Sequence, residues 1–334
     1  MEAIQRSRSS ILVNVLSQIP SPPFNSIGPF TIYGLLIGLG VIAAVTISQR
    51  RWTARGGHPD DISAIAIWAV PAGVVGARVY HIITDWQRFS GESFLQFFAI
   101  REGGLGIPGG MFFGVVTGLL VAKRRGISLP RVLDAIVPGL PLAQAIGRWG
   151  NWFNQELFGR PTNLPWGVEI GAEHRGGIPA QYQDVATTPT FHPTFLYESL
   201  WNFSLVGLLL WMDRKGLFPR GRLISGYMIG YGIGRLWVEL LRIDEANEIF
   251  GLRVNVWMSF LLIGGGLLIF FWPGGVKEDP SERVASGQVD SDEDSDEELD
   301  LADDSHDDAD DAAGDDADEL DVDLGREDED IVRS

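Results

Sequence analysis

The sequence contains no cysteine in its 334 residues. Disulfides and thiolate metal sites are therefore excluded, and any thiol chemistry must use a thiol carried by a substrate. A phosphate loop is missing too. The glycine-rich stretch Glu102-Gly103-Gly104-Leu105-Gly106-Ile107-Pro108-Gly109-Gly110 has no Gly-Lys-Ser/Thr ending, which argues against nucleotide binding. Residues 1–29 hold no run long enough to span a bilayer. Residues 11–19 are apolar but short, and Pro20, Pro22, Pro23 and Pro29 interrupt the chain beyond them. Neither a close basic flank nor a small-residue cleavage site marks a signal peptide. This N-terminal segment is expected to be interfacial or disordered.

The body is poor in negative charge, although the formal net charge is −18. Residues 277–334 hold 27 acidic and 4 basic residues, whereas residues 1–276 hold 17 acidic and 22 basic ones. The acidity therefore describes a tail and says nothing about the partners of the body. The tail repeats Asp, Glu, Ser, Ala and Gly without an aromatic residue. It has too little apolar surface to fold, and a disordered, solvated extension is expected. Its carboxylates do not follow the spacing of a calcium loop. Such a tail fits a proteome adapted to high salt.

What the body does have is hydrophobic length. Seven apolar runs lie at about 30–48, 62–83, 106–122, 132–147, 195–212, 223–241 and 256–272, each near the ~20 residues that a bilayer span needs. The third and fourth are short and rich in glycine, which makes them the runs expected to be tilted, broken or re-entrant. The expected fold is an all-α integral membrane domain over 30–276 with about seven transmembrane helices. Loops after the first, third and fifth runs carry 11 Lys and Arg, against 7 on the other side with Arg6 and Arg8 included. This bias puts the N-terminus outside and the acidic C-terminal tail in the cytoplasm. The longest loop, 149–194, then lies outside.

Several polar residues stand where hydrocarbon is expected, and such residues are costly there. Arg148, Asn151, Asn154 and Glu156 come after the fourth run within Gly147-Arg148-Trp149-Gly150-Asn151-Trp152-Phe153-Asn154-Gln155-Glu156-Leu157-Phe158-Gly159. Arg78 lies late in the second run, where a snorkelling arginine is the bland reading. The glycines at 103–110 suggest backbone packed against a ligand or another helix, or else a tight turn, and argue against a simple helix start. His192-Pro193-Thr194-Phe195-Leu196-Tyr197-Glu198 opens the fifth run and places Glu198 inside it, where it needs a cationic partner. Arg235, Glu239 and Arg242 are four and three apart, so on a helix they share a face. They either neutralise one another or leave one cation over. With Arg148 and Arg78, the outer half of the bundle would then hold three guanidiniums, donors suited to a phosphate. The direct inference is an anionic ligand, most simply a phospholipid headgroup.

The stretch from Gly147 to Gly159 resembles the signature of the prolipoprotein diacylglyceryl transferases, with only the aromatic replacement at Trp152 departing from it. The resemblance extends to Tyr33-Gly34, to Gly76 and Arg78, and to Glu102-Gly103-Gly104. It also covers His192-Pro193 with Leu196-Tyr197-Glu198, and Tyr231-Gly232 with Arg235, Glu239 and Arg242. It implies a multi-pass enzyme of the bacterial plasma membrane that needs no cofactor and no metal. That enzyme would move the diacylglyceryl group of phosphatidylglycerol onto the thiol of a lipobox cysteine in a prolipoprotein, the first step of lipoprotein maturation. Its partners would be phosphatidylglycerol, lipobox peptides and membrane lipids, with no nucleic acid. By position, Arg148 and Arg235 would contact the phosphate and stabilise the leaving group, while Asn151, Asn154, Glu156 and Gly159 would shape the headgroup pocket. Tyr33, Arg78, Glu102, Glu239 and Arg242 would support it, and His192 and Glu198 match a family motif without a defined role.

One departure bears on mechanism. Many members carry a His before the paired glycines that here are Gly109-Gly110, and this chain has Pro108. Proline cannot accept a proton, so a base role would fall to Glu156 or Glu239 if either is buried, or to no side chain. The competing reading is a transporter or flippase for an anionic lipid or solute built on the same arginines. It predicts two related halves with interrupted helices in matching places, and 103–110 and 147–159 are dissimilar. A serine intramembrane protease lacks a convincing Ser and His on facing spans.

Overall fold

The computed structural model of the chain describes residues 18–89, 106–176 and 178–273. The acidic tail and Glu102 lie outside these residues. The body is mostly helical. Its helices of eight residues or more, among the described residues, are α1 (Ile32–Thr53), α2 (Asp60–Thr84), α3 (Ile107–Arg124), α4 (Leu129–Ile136), α5 (Gly139–Phe153), α6 (Thr194–Arg214), α7 (Leu223–Glu239) and α8 (Val254–Phe271). Among the described residues, α1, α2, α6 and α8 are long and apolar enough to cross a membrane. Large apolar side chains face outward: Ile42, Trp68, Phe112 and Leu268 are each exposed, while Ser48, Asp134, Glu198, Asn202 and Glu239 are buried. Polar inside and apolar outside is the arrangement that hydrocarbon demands. The chain is a helical membrane protein.

Local chemistry sets the helix ends. Thr31 caps α1 by accepting from the Gly34 amide at 3.1 Å, and Arg50 and Arg51 occupy its last turn, where cations oppose the helix dipole. Asp60 and Asp61 begin α2 for the converse reason. The expectation that 103–110 avoids a simple helix start is corrected over its described part. Helix α3 begins at Ile107 with Pro108 in its first turn, where a missing N–H is an orphan anyway. The close approach expected of this stretch is to another helix. A Cβ on Gly109 would lie 2.3 Å from the Gly76 carbonyl oxygen and from the Tyr80 Cβ. The Gly106 amide donates to Ala77 O at 2.8 Å, so α3 starts directly on α2.

The fourth run is broken, one of the outcomes expected of it. It forms α4 and α5, with Val137 and Pro138 between them. A proline within a helix removes a donor and clashes with the carbonyl four residues earlier, here that of Asp134. Arg51 of α1 takes over the carbonyls concerned, donating from Nη2 to Asp134 O at 2.8 Å and from Nε to Ala135 O at 3.1 Å. Arg51 also pairs with Asp213 at 3.1 Å, beside Arg55 at 2.7 Å. The Asp134 carboxylate accepts from the amides of Gly221 at 2.6 Å and Leu223 at 3.1 Å, and so caps α7. The break is thus tied to α1, α6 and the start of α7 at once.

Three antiparallel ladders of two residues per strand depart from an all-α chain: β1 (Ser26–Ile27) with β2 (Phe30–Thr31), β3 (Val168–Glu169) with β4 (Thr190–Phe191), and β5 (Glu248–Ile249) with β6 (Leu252–Arg253). Ile19 bridges to Val168, so the end of the N-terminal segment read as interfacial or disordered has defined contacts. The long loop between α5 and α6 packs Phe158, Val168, Ile170, Ile178 and Phe191 into a core with Phe195 of α6. Buried Arg175 organises it, donating to the carbonyls of Ile170 at 3.0 Å and Thr188 at 2.8 Å over the Phe191 ring.

Replacing Arg51 by Ala should strand two buried carbonyls, at about 1–3 kcal/mol each. The variant is expected to unfold in detergent at a lower temperature than Lys215→Ala, which alters an exposed charge beyond α6.

Candidate active site

Arg148 and Asn151 are three apart on α5 and share a face. The helix ends at Phe153, and the chain then folds back on itself. Gln155 and Leu157 both have positive φ, at 51° and 60°, a conformation that costs non-glycine residues about 1–3 kcal/mol each. Two bonds hold it: the Gln155 side chain accepts from the Gly171 amide at 2.7 Å, and Leu157 O accepts from the Thr194 hydroxyl. The reversal brings Glu156 over the end of α5, where Oε1 accepts from Asn151 Nδ2 at 2.9 Å and from Asn154 Nδ2 at 3.2 Å. Gly150 makes room beside this turn for Tyr33 of α1. A Cβ there would lie 2.3 Å from the Tyr33 ring, so the residue must be glycine.

Arg148 reaches in two directions. Nη1 donates to Asn151 Oδ1 at 3.4 Å, and Nε lies 2.5 Å from Glu198 Oε2. Glu198 is buried on α6. Its other oxygen lies 3.3 Å from Arg235 Nη1 of α7. Arg235 Nη2 lies 2.8 Å from Glu239 Oε2, one turn further on. One continuous chain of charges therefore joins α5, α6 and α7, and it contains four of the residues that the sequence singles out, Arg148, Glu198, Arg235 and Glu239.

Beyond α7 the chain of charges continues through residues that the sequence does not mark. Helix α7 ends at Glu239, so Arg242 approaches Glu239 from the following turn, at 3.5 Å, instead of from the helix face expected of it. Arg242 is held mainly by Asp244, with hydrogen bonds of 2.8 and 2.7 Å. The β5–β6 hairpin returns Arg253, whose Nε lies 2.7 Å from Glu239 Oε1 and whose Nη2 lies 3.1 Å from Asp244. Asn255 adds a donor to Glu239 Oε1 at 3.2 Å. Sequence reasoning misses Arg253, Asp244 and Asn255 because they meet Glu239 only through a turn and a hairpin. The one local signal is the polar content of 242–255.

The other expected residues fall around this network. Gly159 donates its amide to His192 O at 2.9 Å and bridges to Arg242, which stitches the loop between the start of α6 and the end of α7. His192 Nδ1 lies 3.0 Å from the Tyr197 hydroxyl, which also accepts from Trp166 Nε1. Burial lowers the His192 pKa from its ordinary value. Arg78 is buried on α2, and Glu102 lies outside the described residues.

Electrostatically, four guanidiniums meet three carboxylates in direct ion pairs among the described residues: Arg148, Arg235, Arg242 and Arg253 against Glu198, Glu239 and Asp244. Glu156 is exposed and attached through the two asparagines, at the Arg148 end. Glu239 is fully enclosed, with nitrogens of Arg235, Arg242, Arg253 and Asn255 around its two oxygens. Guanidiniums that outnumber the carboxylates in these ion pairs are donor chemistry of the kind that suits a bidentate anion.

The prolipoprotein diacylglyceryl transferase family matches residues 22–272 of the chain. The chain is 46% identical over 253 residues to phosphatidylglycerol–prolipoprotein diacylglyceryl transferase 1 of Streptomyces coelicolor, covering 74% of this chain and 71% of that protein. It is 47% identical to the corresponding transferase of Streptomyces griseus over 255 residues, 74% of this chain and 75% of that one. With that of Rhodococcus jostii it shares 45% over 288 residues, 82% and 80% of the two chains.

Asp244 has a testable pH signature. Burial raises its pKa, but the hydrogen bonds and charge of Arg242 and the charge of Arg253 outweigh burial and hold it below the ordinary value. A depressed carboxylate stabilises the fold above the unfolded value of about 3.9 and loses that contribution as pH falls through the folded value. Asp244→Asn should therefore melt below wild type at neutral pH. The gap should close as the pH is taken below about 4 in thermal melts of the detergent-solubilised protein.

Proposed function

The chain belongs to the prolipoprotein diacylglyceryl transferase family, and on that premise we propose that it transfers the diacylglyceryl group of phosphatidylglycerol to the thiol of a lipobox cysteine. The observation that carries the reading is Glu198 shared between Arg148 and Arg235. Arg235 also pairs with Glu239, but Glu239 is itself shared with Arg242 and Arg253. The four arginines of the network therefore face three carboxylates in direct ion pairs among the described residues, and positive charge is kept for a lipid phosphate.

The reaction can be derived from the contents of such a site. The cysteine sulfur attacks the glyceryl carbon that bears the phosphate ester. The C–S bond forms, the C–O bond breaks, and glycerol phosphate leaves with the bonding electrons. Arg148 and Arg235 hold the phosphate and stabilise the charge that develops on it, which is the largest contribution such a site can make. Asn151, Asn154 and Glu156 shape the headgroup pocket beside Tyr33. Glu239 and Arg242 hold Arg235 in place, while Gly159 and His192 close the loop over the site, and Arg78 of α2 and Glu102 would support the pocket. The absence of cysteine suits an enzyme whose nucleophile belongs to its substrate.

The thiol needs little help. A few per cent is thiolate at neutral pH, and a nearby guanidinium raises that fraction. Pro108 offers no acceptor for the proton, and the leaving phosphate can take one. Multi-pass insertion in the bacterial plasma membrane, with seven spans, the N-terminus outside and residues 277–334 as a solvated cytoplasmic tail, completes the proposal. The bias of 11 Lys and Arg against 7 between the two sides supports that orientation. It puts the arginines at the outer face, where lipobox cysteines are presented.

Purified protein mixed with phosphatidylglycerol and a lipobox peptide should yield a diacylglyceryl thioether peptide, read by mass. Arg148→Ala, folded as wild type, should lose about 100- to 1,000-fold in turnover; equal turnover would remove Arg148 from the reaction. A chain ending at Val276 should turn over as the full chain does, and its failure would assign the tail a part in catalysis.

A further inference from the structure

The geometry points to Arg253 as a positioning residue for the same reaction, acting on Arg235 through Glu239; the inference rests on the reading of Arg235 as a phosphate-holding cation. Glu239 is enclosed, and what it does to Arg235 depends on who else shares it. Its Oε2 faces Arg235 at 2.8 Å, while its Oε1 faces Arg253 Nε at 2.7 Å and Asn255 at 3.2 Å. Arg242 lies at 3.5 Å from Oε2, drawn aside by its paired bonds to Asp244. The carboxylate is thus divided: Arg253 compensates one oxygen, and Arg235 is steered by the other.

Without Arg253, only the more distant Arg242 at 3.5 Å and the neutral Asn255 would share Glu239 with Arg235, and more of its negative charge would fall on Arg235. A salt bridge to a buried and under-compensated carboxylate is strong, and a guanidinium so paired has less charge to offer a leaving phosphate. Arg253 keeps Arg235 oriented and cationic at the same time. Its own placement is built in. It is the residue preceding α8 and closes the β5–β6 hairpin, where Phe250 and Gly251 both take positive φ, at 51° and 74°. Its Nη1 donates to Arg242 O at 3.2 Å and its Nη2 meets Asp244 at 3.1 Å. This fork holds Nε against Glu239. None of these atoms contacts Arg148 or Glu198, so the effect must travel through Glu239.

The test is steady-state transfer from phosphatidylglycerol to a lipobox peptide by wild type, Arg253→Gln, Arg253→Lys and Arg235→Ala. Arg253→Gln should lower kcat about tenfold, within the range of couplings inside one charge network. KM for the lipid should stay within about twofold, because charge is withdrawn chiefly from the transition state. Arg253→Lys, which keeps the charge and loses the fork, should recover part of the loss. A merely structural role would instead lower the amount of folded enzyme and leave kcat per folded molecule unchanged. That result, or wild-type kcat in Arg253→Gln while Arg235→Ala is inactive, overturns the proposal alone. Activity retained in Arg235→Ala overturns the phosphate reading and this proposal with it. If Arg253→Gln does not fold, Arg253→Lys decides: a kcat lowered about threefold supports the role and a wild-type kcat refutes it.

Discussion

Two arginines on different helices share one buried carboxylate, and the site depends on that arrangement. Glu198 of α6 lies between Arg148 of α5 and Arg235 of α7. A single buried carboxylate without partners would be expensive, and so would either arginine. Together they satisfy one another and bind three helices to each other. The same contact that fixes the helices gathers more guanidiniums than carboxylates into direct ion pairs. In the proposed reaction those guanidiniums hold the lipid phosphate.

The rest of the body can be understood as support for that contact. The reversal after α5 carries two strained non-glycine residues, and its strain is held by Gln155 and by Thr194 of α6. Gly159 and Arg160 then tie the loop to His192 and Leu241, so the segment beyond Arg148 is anchored to the helices that carry Glu198 and Arg235. At the other end of these helices, Asp134 caps α7 and Arg51 covers the carbonyls freed at the Pro138 break. The two polar clusters grip α5, α6 and α7 from both ends, while apolar side chains cover the faces between them.

A large part of this was legible in the sequence. Hydropathy located the long helices among the described residues, since a bilayer span has to be apolar along its whole length. Of these, α1, α2, α6 and α8 are long and apolar enough to cross a membrane. The motifs around Arg148, Glu198, Arg235 and Glu239 named residues that the fold does bring together. The four-residue spacing of Arg235 and Glu239 predicted their contact, which is local to one helix. Arg242 shows where such reasoning stops. Its spacing placed it on the helix, but α7 ends at Glu239 and Asp244 draws Arg242 aside. The stretch before α3 shows the same limit: its glycines announced a close approach, and only the packing of α2 decided that a helix, and not a ligand, makes it over the described residues.

By itself the sequence determined the membrane class, the family, the lack of any thiol of the chain's own and the arginine-rich motifs, because these follow from composition, from period and from motifs read along the chain. The tertiary structure decided the pairing: Glu198 with two arginines, Arg51 with the broken run, and Arg253 and Asp244 with a glutamate on another element. Ion pairing depends on distances of a few ångströms between atoms that turns and hairpins bring together, and no spacing along the chain encodes those distances.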